Sequence, residues 1–148
     1  MADESPPKCE FNRERLILHL DLTIPGEVGA IGPVVEKVMW VVGQMGCAQG
    51  REFEIETALR EALANAVVHG CKQDAGKEVR FLVACDEAKG MMIVVRDPGE
   101  GFDPDQIPSP VVGECLYSEH GRGIYLINEL MDEVRFKNGG TEIHMLKN

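Results

Sequence analysis

Two β-rich runs, EVRFLVACD at residues 78–86 and GMMIVVRD at residues 90–97, are joined through the turn segment EAKG at residues 87–90. So short a connection pairs them antiparallel as a hairpin. A further strand is written in LILHLDLTI, where Leu16, Leu18, Leu20, Leu22 and Ile24 alternate with other residues and Pro25 and Gly26 follow. That period of two buries one face. EVRF and TEIHML flank Asn138, Gly139 and Gly140 as a closing hairpin. A sheet with an apolar face needs a cover, and helical spacing supplies it. Ile31, Val34, Val35, Val38, Met39, Val42 and Met45 form one stripe. Ile55, Leu59, Ala62, Leu63, Ala66 and Val67 form a second, with Gly70 placed for its C-terminal cap. Ile124, Ile127, Leu130 and Met131 restore the spacing later. The order β-α-α-β-β-loop-α-β-β predicts an α+β, two-layer sandwich, with helices on one face of a mixed, mostly antiparallel sheet.

The chain of 148 residues has the size of a single domain. Residues 1–12, with their Ser-Pro-Pro and charge content, read as a mobile tail, and residues 13–148 as the domain. No apolar run approaches the roughly 20 residues of a membrane helix, and MADESPPKCEFNRER is too polar for a secretory signal. A cytoplasmic protein without a membrane partner is expected. The net charge of −10 disfavours nucleic acid, whose binding draws on basic groups that neutralise phosphates. Cys9, Cys47, Cys71, Cys85 and Cys115 form an odd set without a C-x-x-C pair, so they read as reduced thiols filling the core.

Three polar features interrupt this pattern. In REALANAVVHG, residues 60–70, Glu61, Asn65 and His69 recur at steps of four and lie beside the apolar stripe, at the edge of the core. In RDPGEGFDP a strand ends in Asp97, followed by Gly99 and Gly101. An ionised carboxylate there accepts from an exocyclic amine such as that of adenine, and the glycines let backbone approach a flat ring or a phosphate. In SEHGRGIYLINEL, Gly121 and Gly123 precede a helix whose N-terminal N–H groups and dipole suit a phosphate. Taken singly, each feature also has a plain structural reading, as an exposed helix face, a turn and a loop-to-helix junction. Between the last two features, residues 98–120 hold four prolines and three glycines with little periodicity, a length that compact domains reserve for lids and binding segments.

Their order is more informative than any one of them: E-x-x-x-N-x-x-x-H-G on a helix, D-x-G-x-G-F after a strand, G-x-G opening a later helix, then Gly140-Thr141 in the last hairpin. The set resembles the ATP-binding fold shared by DNA gyrase, the ninety-kilodalton heat-shock chaperone, histidine kinases and the MutL repair protein (the GHKL, or Bergerat, fold). Within it the chain is most similar to the small anti-sigma factors that are serine/threonine kinases, the RsbW and SpoIIAB type. The resemblance covers nearly all the chain from about residue 13 and includes HGRGIYLINELMDEV.

The resemblance implies ATP and magnesium as cofactors. Asn65 would coordinate magnesium held by the ATP phosphates, and Glu61 would be the catalytic base for an attacking serine or threonine hydroxyl. His69 and Gly70 match the end of the family's helix near the nucleotide, with His69 open between ligand contact and structural hydrogen bonding. Asp97 matches the acceptor of the adenine amine, Gly99, Gly101 and Phe102 the loop beneath the base, and Thr141 the threonine that supports adenine through water. Residues 103–123 match the lid over the triphosphate, with Gly121 and Gly123 offering N–H groups. One departure is Glu119, where some relatives carry an arginine. Arg122 is the available cation, aimed at the terminal phosphate or at solvent or a partner. The resemblance implies a homodimer that phosphorylates a STAS-type anti-anti-sigma factor and alternatively captures a sigma factor. The alternative is a nucleotide-bound anti-sigma module without catalysis. An ATPase without a protein acceptor is disfavoured, because no second domain is visible through which hydrolysis would do work.

Overall fold

The computed structural model describes residues 16–86, 90–99 and 119–148. The expected tail and most of the expected lid, residues 103–118, lie outside the described residues.

Strand β1, Leu16–Pro25, turns Leu18, Leu20, Leu22 and Ile24 toward the core. A register shift between Leu16 and Leu18 lets Ile17 pack there as well. Helix α1, Ile31–Gln44, buries Ile31, Val35, Val38 and Val42, and the chain reverses after it at Gly46, whose φ is +71°. Helix α2, Glu52–Asn65, begins with Glu52 and Glu54 against the positive end of its dipole and buries Ile55, Ala58, Leu59, Ala62 and Leu63. It packs between α1 and helix α3, Glu119–Leu130. Strands β2, Glu78–Asp86, and β3, Gly90–Arg96, form the expected hairpin, as do β4, Glu133–Lys137, and β5, Glu142–Lys147.

The sheet order is β1-β2-β3-β5-β4. The two-layer α+β architecture is the one expected, and the sheet, expected to be mixed and mostly antiparallel, is antiparallel at all four described pairings. Its inner face meets the helices through Phe81, Val83, Ile93, Val95, Ile143 and Met145, together with Leu59, Leu63 and Val67 of the α2 segment. Leu59 and Leu63 are fully buried. Truncating either to alanine in such a core costs about 2–5 kcal/mol. Cys47, Cys71 and Cys85 are buried free thiols, as expected for core filler.

Two helix ends differ from the sequence expectation. Gly70 does not cap α2 with a left-handed backbone. Instead, α2 runs into a widened π-helical turn, Ala66–Gly70, closed by the Cys71 N–H donating to Ala66 O at 2.8 Å. The reversal falls on Lys72 and Gln73, with φ of 54° and 58°, and the Gln73 N–H donates to Val67 O at 2.9 Å. Helix α3 begins at Glu119, so Gly121, Arg122 and Gly123 lie inside its first turns and not before it.

Candidate nucleotide site

The antiparallel register sets the end of β3 beside the start of β5, with Arg96 opposite Glu142. One residue further on, the Asp97 N–H donates to Thr141 O at 2.9 Å. Asp97 and Thr141, distant in sequence, thereby stand side by side at one edge of the inner face. The end of α2 lies over them, and α3 closes the side. Between them is a cavity of about 230 Å³ lined by Asn65, His69, Gly70, Asp97, Gly140 and Thr141, with apolar walls from α2, α3 and the sheet. The expected Asn65, His69, Gly70, Asp97 and Thr141 thus meet in one place.

The apolar walls, among them Val95, Ile124, Phe136 and Ile143, went unassigned in the sequence. A signal for two of them was present: alternation puts Val95 and Ile143 on the face shared by Asp97 and Thr141. A flat heterocycle fits such a slot, apolar on its faces with a few polar groups at one edge.

Asp97 Oδ1 accepts the Gly99 N–H at 2.8 Å, which fixes the carboxylate at the cavity edge. Burial pushes the Asp97 carboxyl above the usual carboxylate range, and the Gly99 N–H offsets part of that rise. Gly70 is where the carboxylate passes the helix. A Cβ at Gly70 would lie 2.5 Å from Asp97 Oδ1, and one at Gly99 would lie 2.7 Å from Gly70 O. Both glycines are needed for close approach.

A second cavity of about 340 Å³ runs along the groove between α2 and α3, lined by Glu61, Ala64, Asn65, Val68, His69, Gly123 and Leu126. Asn65 and His69 line both cavities. The stripe at steps of four therefore runs from the first cavity along the second, with Glu61 at its far end. Gly123 packs against the stripe: a Cβ there would lie 2.9 Å from Glu61 Oε1 and 3.4 Å from Asn65 Nδ2. Gly121 and Arg122 fall in the first turn of α3, whose N–H groups have no acceptor within a helix. Gly101 and Phe102 lie outside the described residues. Thr141 Oγ1 donates to Asn138 O at 2.9 Å, which leaves its lone pairs as acceptors.

No helix among the described residues is long and apolar enough to cross a membrane. The histidine kinase-like ATPase domain model matches residues 24–147. The serine-protein kinase RsbW of Bacillus subtilis strain 168 is 31% identical over 138 residues, covering 87% of this chain and 84% of that protein. The Bacillus velezensis protein of the same name is 33% identical over 140 residues, with the same coverage of 87% and 84%. That of Bacillus licheniformis is 30% identical over 138 residues, again covering 87% and 84%. The match runs from the end of strand β1 through strand β5, and the chain belongs to the histidine kinase-like ATPase domain family, in the branch of the RsbW serine-protein kinases.

Proposed function

We propose that the protein is an ATP-dependent serine/threonine protein kinase and anti-sigma factor. In this reading it phosphorylates a STAS-type anti-anti-sigma factor and alternatively sequesters a sigma factor as a homodimer. The observation that supports it most is the continuous polar line from Asp97 through Asn65 to Glu61 across two adjoining cavities. A nucleotide laid along it has its base at Asp97 and its phosphates toward α3.

Asp97 and Thr141 then hold the adenine edge, Asp97 by accepting from the exocyclic amine and Thr141 by accepting from the amine or a water. Gly99 supports the base. The N–H groups at the start of α3, around Gly121, Arg122 and Gly123, receive phosphate oxygens. The neutral amide oxygen of Asn65 suits a hard cation whose charge the phosphates already balance, so Asn65 would hold magnesium. Magnesium, when bound, neutralises charge developing on the transferred phosphoryl group.

Glu61 faces the groove from which an acceptor side chain would enter. Its carboxylate accepts the proton of the serine or threonine hydroxyl as that oxygen bonds to the γ-phosphorus. The bond from phosphorus to the β,γ-bridging oxygen breaks, and ADP departs. His69, exposed and beside Asn65, borders the phosphate end of the path.

The test is transfer of labelled γ-phosphate from ATP to a STAS-domain protein that co-purifies with this chain. Label on a serine or threonine of that protein supports the kinase. Tight binding of nucleotide and partner without label leaves only the binding module.

The close approach at Gly70 makes a separate expectation. Gly70→Ala forces the Asp97 carboxylate aside, and overpacking of this kind costs about 1–3 kcal/mol. Nucleotide affinity should fall at least about tenfold by calorimetry. Unchanged affinity in a folded variant would remove Asp97 from the site.

A further inference from the structure

The turn that carries Gly140 and Thr141 is conformationally demanding. Asn138, Gly139 and Gly140 have φ of 53°, 70° and 94°, three successive residues in the left-handed region. Ile143 and Met145 face the helices, so Glu142 projects from the opposite face of the sheet, behind the turn. There it is only 5% exposed. Glu142 Oε1 accepts from Asn138 Nδ2 at 2.9 Å, and Oε2 is paired with the Arg96 guanidinium. His144 Nε2 lies 3.5 Å from Oε1. Burial pushes the Glu142 carboxyl up, but Arg96 first and His144 after it more than offset that, and hold it below the usual range. The carboxylate therefore stays charged in its buried place.

A chain of contacts results. Arg96, the residue before Asp97, holds Glu142; Glu142 holds the Asn138 side chain; and Asn138 O accepts both the Thr141 N–H, at 3.4 Å, and the Thr141 hydroxyl. We propose that Glu142 is a positioning residue for the nucleotide pocket: from the outer face it clamps the 138–140 turn to strand β3, so that Thr141 and Asp97 address one adenine edge together. The inference rests on the assignment of that cavity to adenine. Glu142 touches no substrate, and its effect passes through Asn138 and Arg96.

Asn138→Gly is the informative variant, because glycine keeps the left-handed backbone and deletes only the amide donor. Asn138→Gly and Glu142→Ala should each raise KM for ATP and the Kd for adenosine about tenfold, with kcat for phosphoryl transfer held within about twofold. Glu142→Gln keeps an acceptor for Asn138 but turns its NH2 group toward the Arg96 guanidinium, so its affinity should fall between that of Glu142→Ala and wild type. A merely structural role would lower the melting temperature and leave KM of the folded enzyme unmoved. Wild-type KM and adenosine affinity in folded Asn138→Gly and Glu142→Ala would overturn the proposal. Asp97→Asn, measured alongside, separates the two ideas. Loss of adenosine binding there with wild-type binding in the Glu142 and Asn138 variants defeats positioning alone, while wild-type binding in Asp97→Asn defeats the adenine pocket itself.

Discussion

Asp97→Asn is expected to weaken ATP binding by about thirtyfold to a thousandfold while making the nucleotide-free protein more stable. The first effect follows from geometry. Asp97 Oδ1 is committed to the Gly99 N–H. An asparagine that keeps this bond turns its NH2 group toward the cavity, where donor then meets donor at the adenine amine. A lost charge-assisted bond and an unpaired buried donor together cost about 2–4 kcal/mol.

The second effect follows from linkage. Burial raises the Asp97 carboxyl above its ordinary value in the folded protein. Between the unfolded and the raised folded pKa the native state holds more protons, so stability of the empty protein falls as pH rises through that window. Above it the cost of burying the charge is fully present. Asparagine removes that cost. Partial exposure screens the gain, so a rise of about 1–2 °C in melting temperature near neutral pH is the expected scale. Nucleotide binding has the opposite sign, because only the ionised form accepts. Affinity should decline with acid from a higher pH than an ordinary aspartate would give. Paired calorimetric titrations and thermal melts across pH measure both. A variant that binds ATP normally, or an empty variant less stable than wild type, would contradict this role for Asp97.

Glu61→Gln is expected to lower phosphoryl transfer by about 10²–10⁴-fold, the usual contribution of a positioned base. Nucleotide affinity should stay within about threefold of wild type. Glutamine is isosteric, so its contact with Gly123 and the α2–α3 packing persist. Single-turnover transfer under saturating ATP reads the chemical step directly. A folded Glu61→Gln protein that transfers phosphate at the wild-type rate would remove Glu61 as the base.

Most of the framework was legible because its signals are local. Leu18 to Ile24 alternate, Ile31 to Val42 repeat at helical spacing, and the hairpins are short enough to force antiparallel pairing. The stripe of Glu61, Asn65 and His69 was legible for the same reason, and Asp97 stood out as a charge at a strand end. What escaped depends on contacts between distant segments. Gly70 resembles a helix cap in sequence, but its lack of a side chain answers to Asp97, 27 positions away along the chain. Gly121 and Gly123 disguised the true start of α3 at Glu119, since glycine reads as a helix breaker. In the fold Gly123 is helical and lets α3 come close to Glu61 and Asn65. Glu142 drew no notice among the charges of the final hairpin, because only the β3-to-β5 register brings it to Arg96.

The most direct measurement is a crystal structure of the protein with magnesium and a non-hydrolysable ATP analogue. The expected result places the adenine amine within hydrogen-bond distance of Asp97, the metal against the Asn65 amide oxygen and the γ-phosphate in the groove beside Glu61. Adenine bound away from Asp97, or a triphosphate directed away from the α2–α3 groove, would contradict it.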